Sequence, residues 1–292
     1  MIREALAADR AAVRELCRTT LLLQDTRDEA GLERLIWTPM HMDPVGLVAE
    51  QDGELTGFIA GSTFPDDAAT GYVTLVAVRQ DRRRQGVGRS LVEALERCLA
   101  ATGVGEIWAG GSQPNYWWPG VDHRYESTRD LFVSAGYLIV EEALNMGVEL
   151  SSSLLDEPRV EGVTLRRLDS GEFSRFQLWV RQSWDEVWDR ELELTLLRDP
   201  ISCFVAEEHG QYIGFAAYDT NRLDCFGPMG SAVRARGRGV GGALLRLCLR
   251  DYYLRGERGC EISWVGPQKF YRDAVSAEPG RAFDRLRKVL VQ

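Results

Sequence analysis

Lysine is almost missing from this chain: of its 35 basic residues only Lys269 and Lys288 are lysines. That absence excludes a Walker phosphate loop, which needs Gly-Lys-Ser/Thr at the end of its glycine run. Paired cysteines are missing too. Cys17, Cys98, Cys203, Cys225, Cys248 and Cys260 form no Cys-x-x-Cys and sit mostly in apolar patterns. They read as core thiols of a reducing compartment rather than as disulfides. No stretch is long and apolar enough to cross a bilayer, and no basic-apolar leader opens the chain. A cytoplasmic protein without membrane contact is expected. His41, His123 and His209 are isolated, and no metal is expected. A net charge of −9 argues against nucleic-acid binding and would suit a cationic substrate.

What is present is written twice. Arg83-Arg84-Gln85-Gly86-Val87-Gly88 and Arg236-Gly237-Arg238-Gly239-Val240-Gly241 share Arg-x-x-Gly-x-Gly. The step between them, 239 − 86 = 153 residues, is one domain long. Glycines let backbone N–H groups converge on an anion. A following helix adds its unpaired N–H groups and positive dipole end, and arginine supplies a charged fork. Val87, Leu91 and Leu95, then Val240, Leu244 and Cys248, follow at helical spacing. Tyr72–Val78 before the first loop reads as a strand; Cys225–Ser231 before the second is weakened by Gly227 and Pro228. A dinucleotide fingerprint is the rival reading: Gly237, Gly239 and Gly242 match G-x-G-x-x-G, with Glu261 as a ribose acid. The first copy lacks its third glycine, and arginines crowd both loops.

The halves repeat beyond the loops. Val45–Glu50 and Leu55–Ala60 flank a turn, as Cys203–Glu207 and Tyr212–Ala217 do. A helical pattern runs from about Leu6 to Leu22. The polar stretch Ser151–Pro158 reads as a linker, so domains are expected at 1–150 and 159–292.

These residues resemble the GNAT superfamily, the acyl-CoA-dependent N-acyltransferases, whose Gln/Arg-x-x-Gly-x-Gly/Ala loop holds the CoA pyrophosphate. A second element, an aromatic pair on a late helix followed by Gly-aromatic, is matched by Leu131–Tyr137 and more loosely by Phe270–Ala277. The resemblance implies an α/β chain of two tandem GNAT domains, each a mixed, mostly antiparallel splayed sheet flanked by helices. It implies acetyl-CoA as cofactor. The implied cofactor-binding residues are Val76, Val78, Arg83, Arg84, Gln85, Gly86, Val87, Gly88 and Arg89 in the first half. In the second they are Met229, Ser231, Val233, Arg236, Gly237, Arg238, Gly239, Val240, Gly241 and Gly242.

The implied reaction is direct aminolysis of a thioester. The amine must lose a proton, the carbonyl oxygen must be stabilised, and the thiolate must leave. By position in the family, Tyr271 is the thiolate's proton donor. Phe132 stands at the matching place in the first half and cannot donate, so the C-terminal domain is expected to be catalytic and the N-terminal one degenerate. Asp224 is the nearest candidate base, with Glu207 and Glu208 as others; a solvated surface role stays open for each. Tyr116–Asp122 is expected either to cap a pocket or to pack domains. Trp179, Trp184 and Trp188 are expected on one helical pattern. A small-molecule amine is the expected partner, and a monomer is preferred to a homodimer. The alternative is a CoA-binding regulator without turnover.

Overall fold

The computed structural model describes residues 1–290 apart from Ser112 and Asp185. Val291 and Gln292, the end of the expected second domain, lie outside the described residues. The chain forms two compact units: Met1–Ala143 together with the residues from Ala282 onward, and Leu144–Arg281.

Unit 1 contains β1 (Ile2–Glu4), α1 (Arg10–Thr20), α2 (Glu29–Trp37), β2 (Asp43–Gln51), β3 (Glu54–Phe64) and β4 (Asp67–Val78). It continues through α3 (Val87–Ala100), β5 (Glu106–Ala109), β6 (Val121–Asp122), α4 (Glu126–Ser134) and the first half of β7 (Leu138–Glu149). Unit 2 takes the rest of β7, then β8 (Thr164–Arg167), α5 (Phe173–Ser183), α6 (Glu186–Leu192), β9 (Cys203–Glu208), β10 (Gln211–Tyr218) and β11 (Cys225–Ser231). It ends with α7 (Val240–Leu254), β12 (Gly259–Ile262), α8 (Gln268–Val275) and the start of β13 (Glu278–Val289).

Each unit is a mixed, mostly antiparallel sheet with helices against it. In unit 1 the order is β1-β2-β3-β4-β5-β13, with only β4–β5 parallel. In unit 2 it is β8-β9-β10-β11-β12-β7, with only β11–β12 parallel. The apolar periodicity behind each loop becomes a helix whose inner face is fully covered. Leu91, Leu95 and Leu99 of α3, and Val240, Leu244, Cys248 and Tyr252 of α7, are all 0% exposed. Burial of a single such leucine is worth about 2 kcal/mol, so these two helices anchor their sheets.

The boundary differs from the linear division at 150 and 159. Leu286 pairs with Ala109 in unit 1, whereas Met146 pairs with Ile262 in unit 2. The last strand of each sheet is therefore exchanged: β13 closes unit 1 and the second half of β7 closes unit 2. Strand period marks β7 and β13 as extended, but it does not say which partner each takes. The linker residues Ser152–Leu155 form a 3-10 turn in which Leu154 is buried.

The tryptophan pattern breaks in two. Trp179 lies in α5, Trp184 ends that helix, and Trp188 lies in α6. All three meet Phe215 edge-to-face, at 6.3, 5.4 and 6.0 Å between ring centroids. Five of the six thiols are core groups and Cys98 is half-buried: burial pushes Cys17 up to about 12, and all six cysteines are free.

Glu172 couples this fold to acid. It is hydrogen-bonded by Arg166, by the N–H of Asp169 at 3.0 Å and by Tyr212 Oη at 2.8 Å. The Arg166 contact outweighs burial and holds the carboxyl at about 2. A depressed carboxylate stabilises the fold above its unfolded value, near 4.5, and that contribution is lost as pH falls toward 2. Glu172→Gln should therefore lower Tm at neutral pH and flatten the Tm decline between those values, read by circular dichroism. An unchanged acid slope would contradict this assignment.

Candidate active sites

Each unit opens where its parallel strands part. β4 and β5 pair from Thr70–Glu106 to Val73–Ala109, and the last contact is Gly110 N–H to Val73 O at 2.9 Å. Beyond Val73, β4 runs on to Val78, and among the described residues no strand pairs with that edge. In unit 2 the pairing ends at Phe226–Ile262 and Ser263 N–H to Phe226 O, and β11 runs on to Ser231. A one-residue bulge marks both openings, between Val73 and Leu75 and between Phe226 and Met229.

Strand alternation decides which groups face the gap. Arg79 N–H bonds Thr56 O, and Ala232 N–H bonds Ile213 O. Groups two residues apart share a side, so Val76 and Val78, and Met229 and Ser231, turn their N–H and C=O into the openings. Val76 and Met229 stand 153 residues apart, the spacing of the loops. Val233 lies off the strand, in an exposed 3-10 turn.

The loops superpose in conformation. Gly86 and Gly239 are the N-caps of α3 and α7, at φ 85° and 82°. Three residues before Val87 and Val240 stand Arg84 at φ 60° and Gly237 at φ 72°. Alternating left-handed residues turn successive N–H groups to one side, which is an anion nest. Among the described residues the N–H groups of Val87, Gly88 and Arg89, and of Val240, Gly241 and Gly242, have no partner, as expected of a first helical turn. The arginines differ. Arg83 Nε bonds Val78 O at 3.2 Å, Arg89 pairs with Glu93, and Arg238 pairs with Glu208 at 2.7 Å. Arg236 is exposed and has no partner among the described residues. Gln85 Nε2 donates to Asp81 O at 3.0 Å.

The late helices sit at equivalent places. A Cβ on Gly88 would come 3.1 Å from Leu131, and one on Gly241 would come 3.4 Å from Phe270. Leu131 thus matches Phe270, and Phe132 matches Tyr271. Phe132 is buried against Tyr137. Tyr271 packs on Phe226, the residue where unit 2 opens, at 6.3 Å. Its hydroxyl has no hydrogen-bond partner among the described residues, and burial pushes the phenol up to about 12.

The candidate carboxylates are placed elsewhere. Asp224 precedes β11, at the paired end of the strand, and its carbonyl accepts from Glu261 N–H. Glu207 is held by Arg166 and Arg175, and Glu208 by Arg238. Glu261 is held by Arg222, Arg281 and Asn145. His209 stands exposed in the β9–β10 turn. His123, Glu142 and Asp284 bring ligand atoms within 4.8 Å of one another, but Arg129 already neutralises Asp284.

Sequence reasoning missed one group. A cavity of about 60 Å³ lies in the opening of unit 1, walled by Val73–Val76, Trp118, Tyr125 and Phe132 among others. Tyr125 Oη donates to Asp25 Oδ2 at 2.8 Å and accepts from Leu22 N–H at 2.9 Å. Asp25 is 0% exposed. The Trp-Trp-Pro-Gly segment lines this cavity through Trp118 and Gly120, and Trp117 Nε1 donates to Asp25 O at 3.0 Å. A separation of 100 residues between Tyr125 and Asp25 gives no local signal.

The profile of the acetyltransferase (GNAT) family matches residues 11–116 and again 164–275. The chain belongs to the GNAT acetyltransferase family. Solved structures agree on the fold of this GNAT protein. A GCN5-related glucosamine N-acetyltransferase region of a fungal multi-domain β-N-acetylglucosaminidase matches with TM-score 0.77 and 18% identity over 99% of this chain. The chain spans 38% of that fungal protein's length. A GCN5-related N-acetyltransferase from Sphaerobacter thermophilus matches at 0.70 and 21% identity, over 99% of this chain and 95% of that one. A tandem GNAT protein of the clavulanic acid biosynthesis pathway matches at 0.74 and 15%, over 99% and 98%. No curated protein sequence matches the chain. Among the described residues no helix is long and apolar enough to cross a membrane.

Proposed function

We propose that unit 2 transfers an acetyl group from acetyl-CoA to a primary amine of a small molecule by direct attack. The observation that carries this reading is Tyr271: a phenol without a hydrogen-bond partner among the described residues, beside the strand opening and behind an intact glycine loop. At neutral pH a phenol held up to about 12 keeps its proton and can give it to a departing thiolate. The N–H groups of Val240, Gly241 and Gly242 would hold the pyrophosphate with Arg236. Met229 and Ser231 would pair with the pantetheine amides, and the Met229 N–H would stabilise negative charge on the carbonyl oxygen. Asp224 stands at the far end of β11, so this reading routes the ammonium proton to water. The net charge of −9 favours a cationic acceptor.

Tyr271→Phe should lower kcat by about a hundredfold and leave the KM for acetyl-CoA unchanged. Gly86→Glu, which blocks loop 1, provides the background that isolates unit 2. Acetyl-CoA binding without CoA release across a broad panel of primary amines would replace this reading with a CoA-binding regulator.

A further inference from the structure

We propose that the groove between β1–β2 and α3 of unit 1 is a docking site for a leucine-bearing acidic peptide segment of a partner protein. This goes beyond the transfer reading of unit 2 and does not rest on it. The groove is open and has a volume of about 550 Å³. Ile2, Val45 and Leu47 wall it on the strand side, and Ala94, Cys98 and Ala101 on the helix side. A mostly apolar concavity of this size is the common form of a binding site. Its charged lining is Arg3, Arg97 and Glu4.

The repeat shows what covers such a groove. α3 and α7 align from Val87 and Val240, so Ala94 matches Leu247 and Arg97 matches Arg250. The hairpins align at their turns, where Gln51 pairs with Glu54 and Glu208 with Gln211, so Leu47 matches Phe204. Ile2 pairs with Ala49 as Leu165 pairs with Ala206, so these two also match. In unit 2 the corresponding space is filled by residues 151–163. Leu154 is buried in the core that holds Phe204, and Val160, Val163, Leu165 and Leu247 pack against that core. Arg246 donates to Ser153 O at 2.7 Å, and Arg250 pairs with Glu157 at 3.5 Å.

Unit 1 has the groove without this filling. Arg97 is exposed and has no partner among the described residues, whereas Arg3 is held by Asp9 and Glu50. Ala94 and Leu47 stand where unit 2 has the larger Leu247 and Phe204, and Cys98 is only half-buried. The groove therefore calls for what residues 151–163 give unit 2. That is a leucine for the apolar floor and, three residues on, a carboxylate for the arginine of the helix.

The test adds a fluorescein-labelled peptide of residues 151–163 to the full chain and follows anisotropy. Cys98 locates the bound peptide. The other five thiols are buried, so an aromatic disulfide reagent reads Cys98 in the native chain. Saturable binding that protects Cys98 is expected. Arg97→Glu should weaken it by about tenfold, by setting acid against acid, and a peptide carrying Glu157→Lys should restore it. A peptide carrying Leu154→Ser should not bind. Ala101→Trp, on the exposed lip of the groove, should block binding in a chain with an unchanged circular dichroism spectrum. Absence of saturable binding overturns the proposal, as does binding that leaves Cys98 reactive or ignores Arg97→Glu. Protection of Cys98 without peptide, rising with chain concentration alongside a dimer in sedimentation, gives the groove to a second copy and overturns it too.

Discussion

Gly239→Glu should weaken acetyl-CoA binding at unit 2 by more than about a hundredfold, while Gly86→Glu does the same to unit 1. Calorimetry on wild type should show two binding events, each removed by its own substitution. The magnitude follows from charge. A carboxylate set among N–H groups that converge on a pyrophosphate costs several kcal/mol by like-charge repulsion, and about 1.4 kcal/mol is tenfold. The fold should survive, because a Cβ at either glycine meets nothing within 4 Å. The remaining cost is the left-handed backbone, at φ 82° and 85°, worth about 1–2 kcal/mol for a residue with a Cβ. A single event, lost only with Gly239→Glu, would leave unit 1 without cofactor.

Leu286→Ala should destabilise unit 1 and not unit 2, although it lies six residues from the end of the chain. Leu286 is 0% exposed in the core that holds Leu95, Ile107, Phe132 and Tyr137. Truncating a buried leucine to alanine costs about 2–5 kcal/mol. The mirror substitution is Met146→Ala: Met146 is 0% exposed in the core of Leu244, Cys248 and Ile262. It should weaken unit 2 by a comparable amount. Urea unfolding of the Gly239→Glu and Gly86→Glu chains, each with and without acetyl-CoA, identifies which unit's transition moves. If Leu286→Ala lowered the acetyl-CoA-protected transition of the Gly86→Glu chain instead, the strand exchange would be wrong.

The exchange shows what a repeat hides. The halves were legible because local patterns declare themselves. Alternation gave Val45–Glu50, Tyr72–Val78 and Tyr212–Ala217 as strands, and all three lie within β2, β4 and β10. Helical spacing behind Gly86 and Gly239 gave α3 and α7. Cys225–Ser231, weak on propensity, is β11 in full, because tertiary pairing with β10 outweighs the cost of Gly227 and Pro228. The pattern from Leu6 to Leu22 became the shorter α1, preceded by a 3-10 turn at Ala7–Asp9. Trp179 to Trp188 looked continuous by period, yet the helix stops at Trp184, whose ring lies 2.6 Å from the position of a Cβ on Gly230.

By itself the sequence determined the duplication, the two glycine loops that open α3 and α7, the family, and the equivalence of Phe132 with Tyr271. Each is a matter of residue type at fixed spacing along the chain. Tertiary structure alone decided which strand closes which sheet, because strand periodicity marks a segment as extended without naming its partner. It also decided that Asp224 stands at the paired end of β11. And it brought Asp25 to the hydroxyl of Tyr125, because a buried carboxylate finds its donor through packing of distant segments, which no spacing in the chain encodes.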